Sequence, residues 1–261
     1  MGKYFNVDVI PDCIGRDVSD NNGTADVAGG DIIFNWTAVD VPKGSCLLKN
    51  VTAYINGEDG ALAGSAIDYE LVFAKSVSGV VPPDLGVIGA AQTACGELRH
   101  HLVGGVRLEG EAAKGTLSKT PFGVVYNSNY AGGADTSIGP GFVIDLEPTS
   151  GTNVGYDKLY VAGFHVSARN YGTGVLLNES TIDASANPTS TIIVDGVDAR
   201  KIFSVGDQVY VMDLDTPIPG TLTKVEELLL TFSEENSTVD ITENDELLNA
   251  NPIRIRLGFE S

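Results

Sequence analysis

Apolar residues recur at every second position in run after run of this chain, and that period limits the fold class before anything else is considered. Residues 31–41, DIIFNWTAVDV, set Phe34, Trp36 and Ala38 on one face and Ile33, Asn35, Thr37 and Val39 on the other. Residues 46–55 likewise set Leu47, Val51, Ala53 and Ile55 against Leu48, Asn50, Thr52 and Tyr54. Residues 68–77 align Tyr69, Leu71, Phe73 and Val77, and residues 158–168 align Tyr160, Ala162, Phe164 and Val166. The first ten residues, MGKYFNVDVI, alternate too. A strand with one face on a core needs this pattern. A helical period is confined to residues 224–230, KVEELLL, whose flanks read as strands.

Between residues 79 and 155 the alternation lapses. Pro82-Pro83, Gly104-Gly105, Gly132-Gly133 and the GPGF at 139–142 punctuate that stretch, with short strands expected at 102–108 and 141–146. Near residue 185 the texture changes to the small, polar IDASANPTST, which reads as a linker. Beyond it TIIVDG, QVYVMD, GTLTKVEE, LLLTFS and IRIRLGF have the rhythm of short strands separated by turns. The chain is therefore predicted to be all-β. A jelly-roll-like β-sandwich is expected over residues 1–185, with a Gly-rich insertion at 79–155, and a small acidic β-barrel or sandwich module over 186–261.

Charge narrows the partners. The chain carries 16 Lys and Arg against 35 Asp and Glu, a formal net charge of −19. Binding to phosphate backbones rests on Lys and Arg releasing counterions, so nucleic acid and anionic membranes are not expected partners. A hydrophobic content of 43% suits a folded protein rather than a disordered one. No apolar run approaches the roughly 18–20 residues of a membrane span, and the start lacks the apolar core of a signal peptide. Folding in a cytosol is expected. Cys13, Cys46 and Cys95 are widely spaced and form no CxxC, so they read as reduced, buried thiols.

Residues that could carry chemistry each have a plain structural reading. VYVMDLDTP at 209–217 resembles the nucleophile motif of haloacid-dehalogenase-type phosphatases, in which the first Asp attacks phosphorus. That chemistry needs a parallel α/β sheet, and no convincing helix follows here. Asp213 and Asp215 instead read as turn formers at a strand end. His100 and His101 are adjacent, which on a strand would send them to opposite faces, and Cys95 lies at no zinc-ligand spacing from them. His165, in an alternating strand, reads as a polar-face or packed residue. The acidic loops Asn56–Asp59 and Asp213–Asp215 could hold calcium but match no EF-hand. With neither GxSxG nor GxxxxGK[ST] present, no catalytic, cofactor-binding or metal-ligating residue is assigned. Tyr126, Tyr130, Tyr156 and Tyr171 lie in Gly-rich stretches where exposed rings could stack on sugars.

Two stretches resemble known proteins. DIIFNWTAVDVPKGSCLLKNVTAYINGEDG with DYELVFAKSVSGVVPPDLG, within 31–86, is similar to β-sandwich modules in virion proteins of tailed bacteriophages. FSVGDQVYVMD, PGTLTKVEE and NDELLNANPIRIRLGF, within 190–259, resemble the C-terminal module of such proteins. Together they cover about half of the chain, in phrase order rather than through a diagnostic motif. The resemblance implies a non-enzymatic structural protein of the virion, made in the host cytoplasm and decorating the capsid. Implied partners are the major capsid protein or other virion proteins, with self-association, commonly as a trimer. The alternative it leaves open is a glycan- or receptor-binding fibre or tail component.

Overall fold

The computed structural model describes residues 2–13, 28–55, 69–93, 96–108, 114–117, 120–126, 142–151, 154–166, 175–177, 185–195, 198–211, 216–243 and 245–261. The first strands are β1 (Tyr4–Val9), β2 (Ile32–Val39), β3 (Gly44–Ile55), β4 (Tyr69–Lys75) and β5 (Leu102–Leu108). They are followed by β6 (Lys114–Leu117), β7 (Thr120–Tyr126), β8 (Phe142–Leu146) and β9 (Leu159–His165). Next come β10 (Val175–Leu177), β11 (Thr189–Asp195), β12 (Val209–Val211) and β13 (Thr216–Pro217). The series closes with β14 (Leu222–Val225), β15 (Leu229–Asn236), β16 (Glu246–Asn249) and β17 (Ile253–Glu260). Helical structure among the described residues is limited to two short 3-10 turns, Gly96–His100 and Ala199–Lys201. The chain is all-β, with antiparallel sheets that pack in sandwich fashion.

The pairings nest. β4 pairs β5, β3 pairs β7 and β8, β2 pairs β9, and β1 pairs β17, all antiparallel. The chain is thus one long hairpin rolled into two sheets. One reads β1-β17-β3-β7-β6, with β8 also on β3, and the other reads β2-β9-β4-β5. Paired strands of a rolled hairpin distributed in this way give the jelly-roll order. Along β3, residues 50–54 meet β7 and residues 44–48 meet β8, while β17 takes the opposite edge.

The inner faces of the two sheets share one core. Val51, Ala53, Ile144, Ile255, Leu257 and Phe259 come from one side, and Phe34, Leu71, Phe73, Leu159 and Val161 from the other. Strict alternation misassigns two strands. In β3 it groups Leu47 with Val51 and Ala53, yet Leu48 is the buried residue and Leu47 only half-buried. The register against β17 slips between Gly258 and Phe259, which pair with Asn50 and Leu48, so Lys49 is an extra residue that reverses the faces. In β2, slips on either side of Phe34 allow both Ile33 and Phe34 to reach the core.

Residues 79–155 hold the two short strands expected there, as β5 and β8, and two more that were not expected, β6 and β7, so the stretch is less irregular than its sequence suggests. β6 and β7 escape the sequence pattern because Gly115, Pro121 and Gly123 interrupt their apolar runs. Pro121 sits just outside the part of β7 that pairs with β3, where its missing N–H costs the ladder nothing on that side.

Residues between β9 and β17 build the second body. Its sheet runs β13-β12-β16-β10-β11-β15-β14 around one core that includes Ile192, Val194, Val209, Val211, Leu222, Leu230 and Leu247. The start of β14 is fastened to the segment leading into β12: the Gly206 N–H donates to the Leu222 carbonyl at 2.7 Å, and the Leu222 N–H to the Asp207 carbonyl at 2.8 Å. Strand pairing does not divide at residue 185. β10 precedes that point yet belongs to the sheet of the second body, and β17, read in the sequence as part of the C-terminal module, lies between β1 and β3 of the sandwich. The second module is therefore an insertion before the last strand of the jelly roll.

Candidate functional site

The residues singled out for chemistry do not converge. His100 is exposed and His101 buried; they lie on the 3-10 turn and just after it rather than on a strand. His101 Nδ1 is 2.9 Å from the Lys75 carbonyl, which fixes it to the end of β4. His165 is buried at the end of β9, where its backbone N–H donates to the Asp31 carbonyl. Cys13 and Cys46 are buried, and burial raises the pKa of the Cys46 thiol. Cys95, Asn56–Asp59, Asp213, Asp215, Tyr130 and Tyr171 lie outside the described residues, as does the side chain of Tyr126. Among the described residues no group of His, Cys, Asp and Glu is placed to hold a metal ion.

Two of the buried aspartates are bound within their own turns, and a third reaches across the chain. Asp31 accepts the Ala28 N–H at 2.6 Å, and Asp245 accepts the N–H and hydroxyl of Thr242 at 2.7 and 2.6 Å. Asp157 accepts the Ser76 hydroxyl at 3.1 Å and the Gly79 N–H at 3.3 Å, while the Lys158 N–H donates to Ser76 Oγ at 2.8 Å. These bonds tie the β4–β5 and β8–β9 connections into one rigid end of the sandwich. At that end Lys43 Nζ lies 5.0 Å from the centre of the Tyr156 ring, so a cation already occupies one face offered to a sugar.

The tightest turn there is Val77–Val80. Val77 and Val80 exchange both backbone hydrogen bonds at 3.0 Å, and Ser78 and Gly79 have φ of 52° and 81°. Positive φ at both central positions is the type I′ hairpin turn, for which Asn-Gly is preferred. Ser78→Asn is therefore expected to stabilise the protein by about 0.5–1 kcal/mol by relieving a left-handed serine. A raised midpoint in chemical denaturation checks it.

From this turn the chain forms a strap along β2. The Trp36 indole N–H donates to the Pro83 carbonyl at 2.9 Å, and the Asn35 amide donates to Asp84 at 2.6 Å and to the Gly86 carbonyl at 3.1 Å. Further on, the Gly89 N–H donates to the Ile32 carbonyl at 2.8 Å, and the Ile32 N–H to the Ala90 carbonyl at 3.0 Å. The strap thus covers the outer edge of β2, an edge that would otherwise offer a template for strand addition. Beneath it Ile32, Leu85, Leu98 and Ala162 form a second small core with Trp36, Ile88 and Phe164 packed against it. This explains why Ala162 and Phe164, which face away from the main core, are apolar. Asp84 accepts the Gly86 N–H and then the Asn35 amide, and these bonds hold its pKa below the usual carboxylate value.

A second polar cluster, which the sequence reading missed, joins the sheet of the second body to the sandwich. Asp207 is fully buried and accepts from the Ser204 N–H at 2.7 Å, the Asn249 amide at 2.7 Å and the Arg254 guanidinium at 2.6 Å. Asn251 extends the joint, donating to the Pro11 carbonyl at 3.0 Å and accepting the Gln208 N–H at 2.9 Å. The residue types were visible as NANPIR at 249–254, but nothing in that run says which carboxylate it meets.

No protein-family model matches the chain, and no curated protein is significantly similar to it.

Proposed function

We propose that this chain is a non-enzymatic structural protein of a tailed-bacteriophage virion, decorating the outer surface of the capsid as a homo-oligomer and contacting the major capsid protein. The observation that carries the reading is the nested strand order, since double-sheet jelly rolls serve viral capsid and lectin domains among others. Fold alone does not decide function. The reading is supported further by the resemblance of 31–86 and 190–259 to virion proteins, and by the surface chemistry. A net charge of −19 disfavours contact with a packaged genome and keeps many copies soluble, while exposed Val80, Val81, Val154 and Tyr156 at one end offer apolar contact area.

Immunogold electron microscopy of virus particles tests the proposal. Label spread over the capsid faces is the expected result. Label confined to fibres or tail would transfer the protein to the fibre reading, and unlabelled particles would remove it from the virion.

A further inference from the structure

We infer that the strap over residues 76–93 is a self-association surface, taking the same strap of a second copy of the chain. The inference deepens the homo-oligomer proposed above by naming its surface, and its test needs no virus particle.

Charge selects this surface. Across residues 76–93 there is one charged side chain, Asp84, in a chain that is 20% charged. Its carboxylate is exposed, but it already accepts the Asn35 amide and the Gly86 N–H. Meanwhile Val80, Val81 and Val87 are 63%, 58% and 70% exposed. Several other exposed apolar residues have charged neighbours. Leu228 follows Glu226 and Glu227, Ile193 shares its strand face with Asp195, and Val143 lies on the same short strand as Asp145.

The second copy follows from symmetry. In a two-fold contact the same patch meets itself, so a fixed charge near the axis faces its own like charge. A chain of −19 repels its copy over an acidic surface, and an uncharged patch is where that repulsion is least. A basic partner would gain most by meeting clustered carboxylates, and the strap carries only Asp84. The strap is also held in place: its bonds to Asn35, Trp36 and Ile32 and the small core beneath it leave little to order on contact.

Sedimentation equilibrium of the full chain over a range of concentrations tests this, with Val81→Asp/Val87→Asp beside the parent and Ile193→Asp as a remote control. Circular dichroism and melting of each variant confirm that it is folded. The expected result is a reversible dimer of the parent, tightened by added salt that screens the net charge. The double variant is expected to lose the dimer and the control to keep it. A parent that is monomeric at every concentration, a trimeric mass, or a dimer that survives the double substitution would overturn the inference. If Val81→Asp/Val87→Asp fails to fold, Val81→Ser/Val87→Ser is read in its place, with weakened dimerisation expected and unchanged dimerisation contradicting it.

Discussion

Asp207→Ala is expected to lower the free energy of unfolding by about 3–5 kcal/mol, the range for removing one partner of a buried ion pair. Asp207 is 0% exposed, and its partner Arg254 is 20% exposed at 2.6 Å. The carboxylate also caps the Ser204 N–H and accepts the Asn249 amide, so alanine would strand donors that water cannot readily reach. Arg254 stands on β17 of the sandwich and Asp207 just before β12 of the inserted sheet, so the loss falls on the joint between them. Asp8 supplies the control. Its contact with Arg256 is also 2.6 Å, but the two side chains are 59% and 60% exposed. Exposed pairs contribute only about 0–1 kcal/mol, so Asp8→Ala is expected to shift the urea midpoint little. Equal loss from the two variants would mean that burial does not govern these pairs.

Phe34→Ala is expected to cost about 3–5 kcal/mol, as for other fully buried phenylalanines. Phe34 is 0% exposed, in the core between the sheets, and its register partner on β9 is Gly163. A Cβ at position 163 would lie about 2.8 Å from Phe34 Cδ1 and 2.9 Å from Cζ, closer than carbon atoms pack. Glycine at 163 therefore serves to admit a ring rather than to form a turn. Gly163→Ala is expected to cost about 1–3 kcal/mol by overpacking. The two changes should be coupled: with the ring gone, the added methyl fills part of the space it left. Phe34→Ala/Gly163→Ala should then be less destabilised than the sum by about 0.5–3 kcal/mol in a double-mutant cycle. Additive losses would show that the ring and the glycine do not meet.

The fold was legible where period-2 runs were long. β2, β4 and β9 lie within the runs at 31–41, 68–77 and 158–168, β3 contains the run at 46–55 and starts before it at Gly44, and the short strands expected at 102–108 and 141–146 are β5 and β8. The faces were harder to read, because a bulge such as that at Lys49 inserts one residue and exchanges inside for outside. The place of β17 was not readable for a different reason. IRIRLGF announces a strand with one buried face, but alternation does not name the sheet, and its partners β1 (Tyr4–Val9) and β3 (Gly44–Ile55) lie near the other end of the sequence. The strap was readable in part. Pro82-Pro83 and scattered glycines argued for a loop, whereas the near absence of charge across 76–93 was the signal that it has an exposed apolar side.

The central claim, that this rolled acidic sandwich works by contact with a capsid, is tested most directly by rebinding. Purified protein is mixed with capsids stripped of it, and the pelleted fraction is measured as concentration rises. Saturable co-sedimentation at a fixed number of copies per capsid is the expected result. Protein that stays in the supernatant at every concentration, with the same capsids still binding an untreated sample of their own surface proteins, would contradict the account.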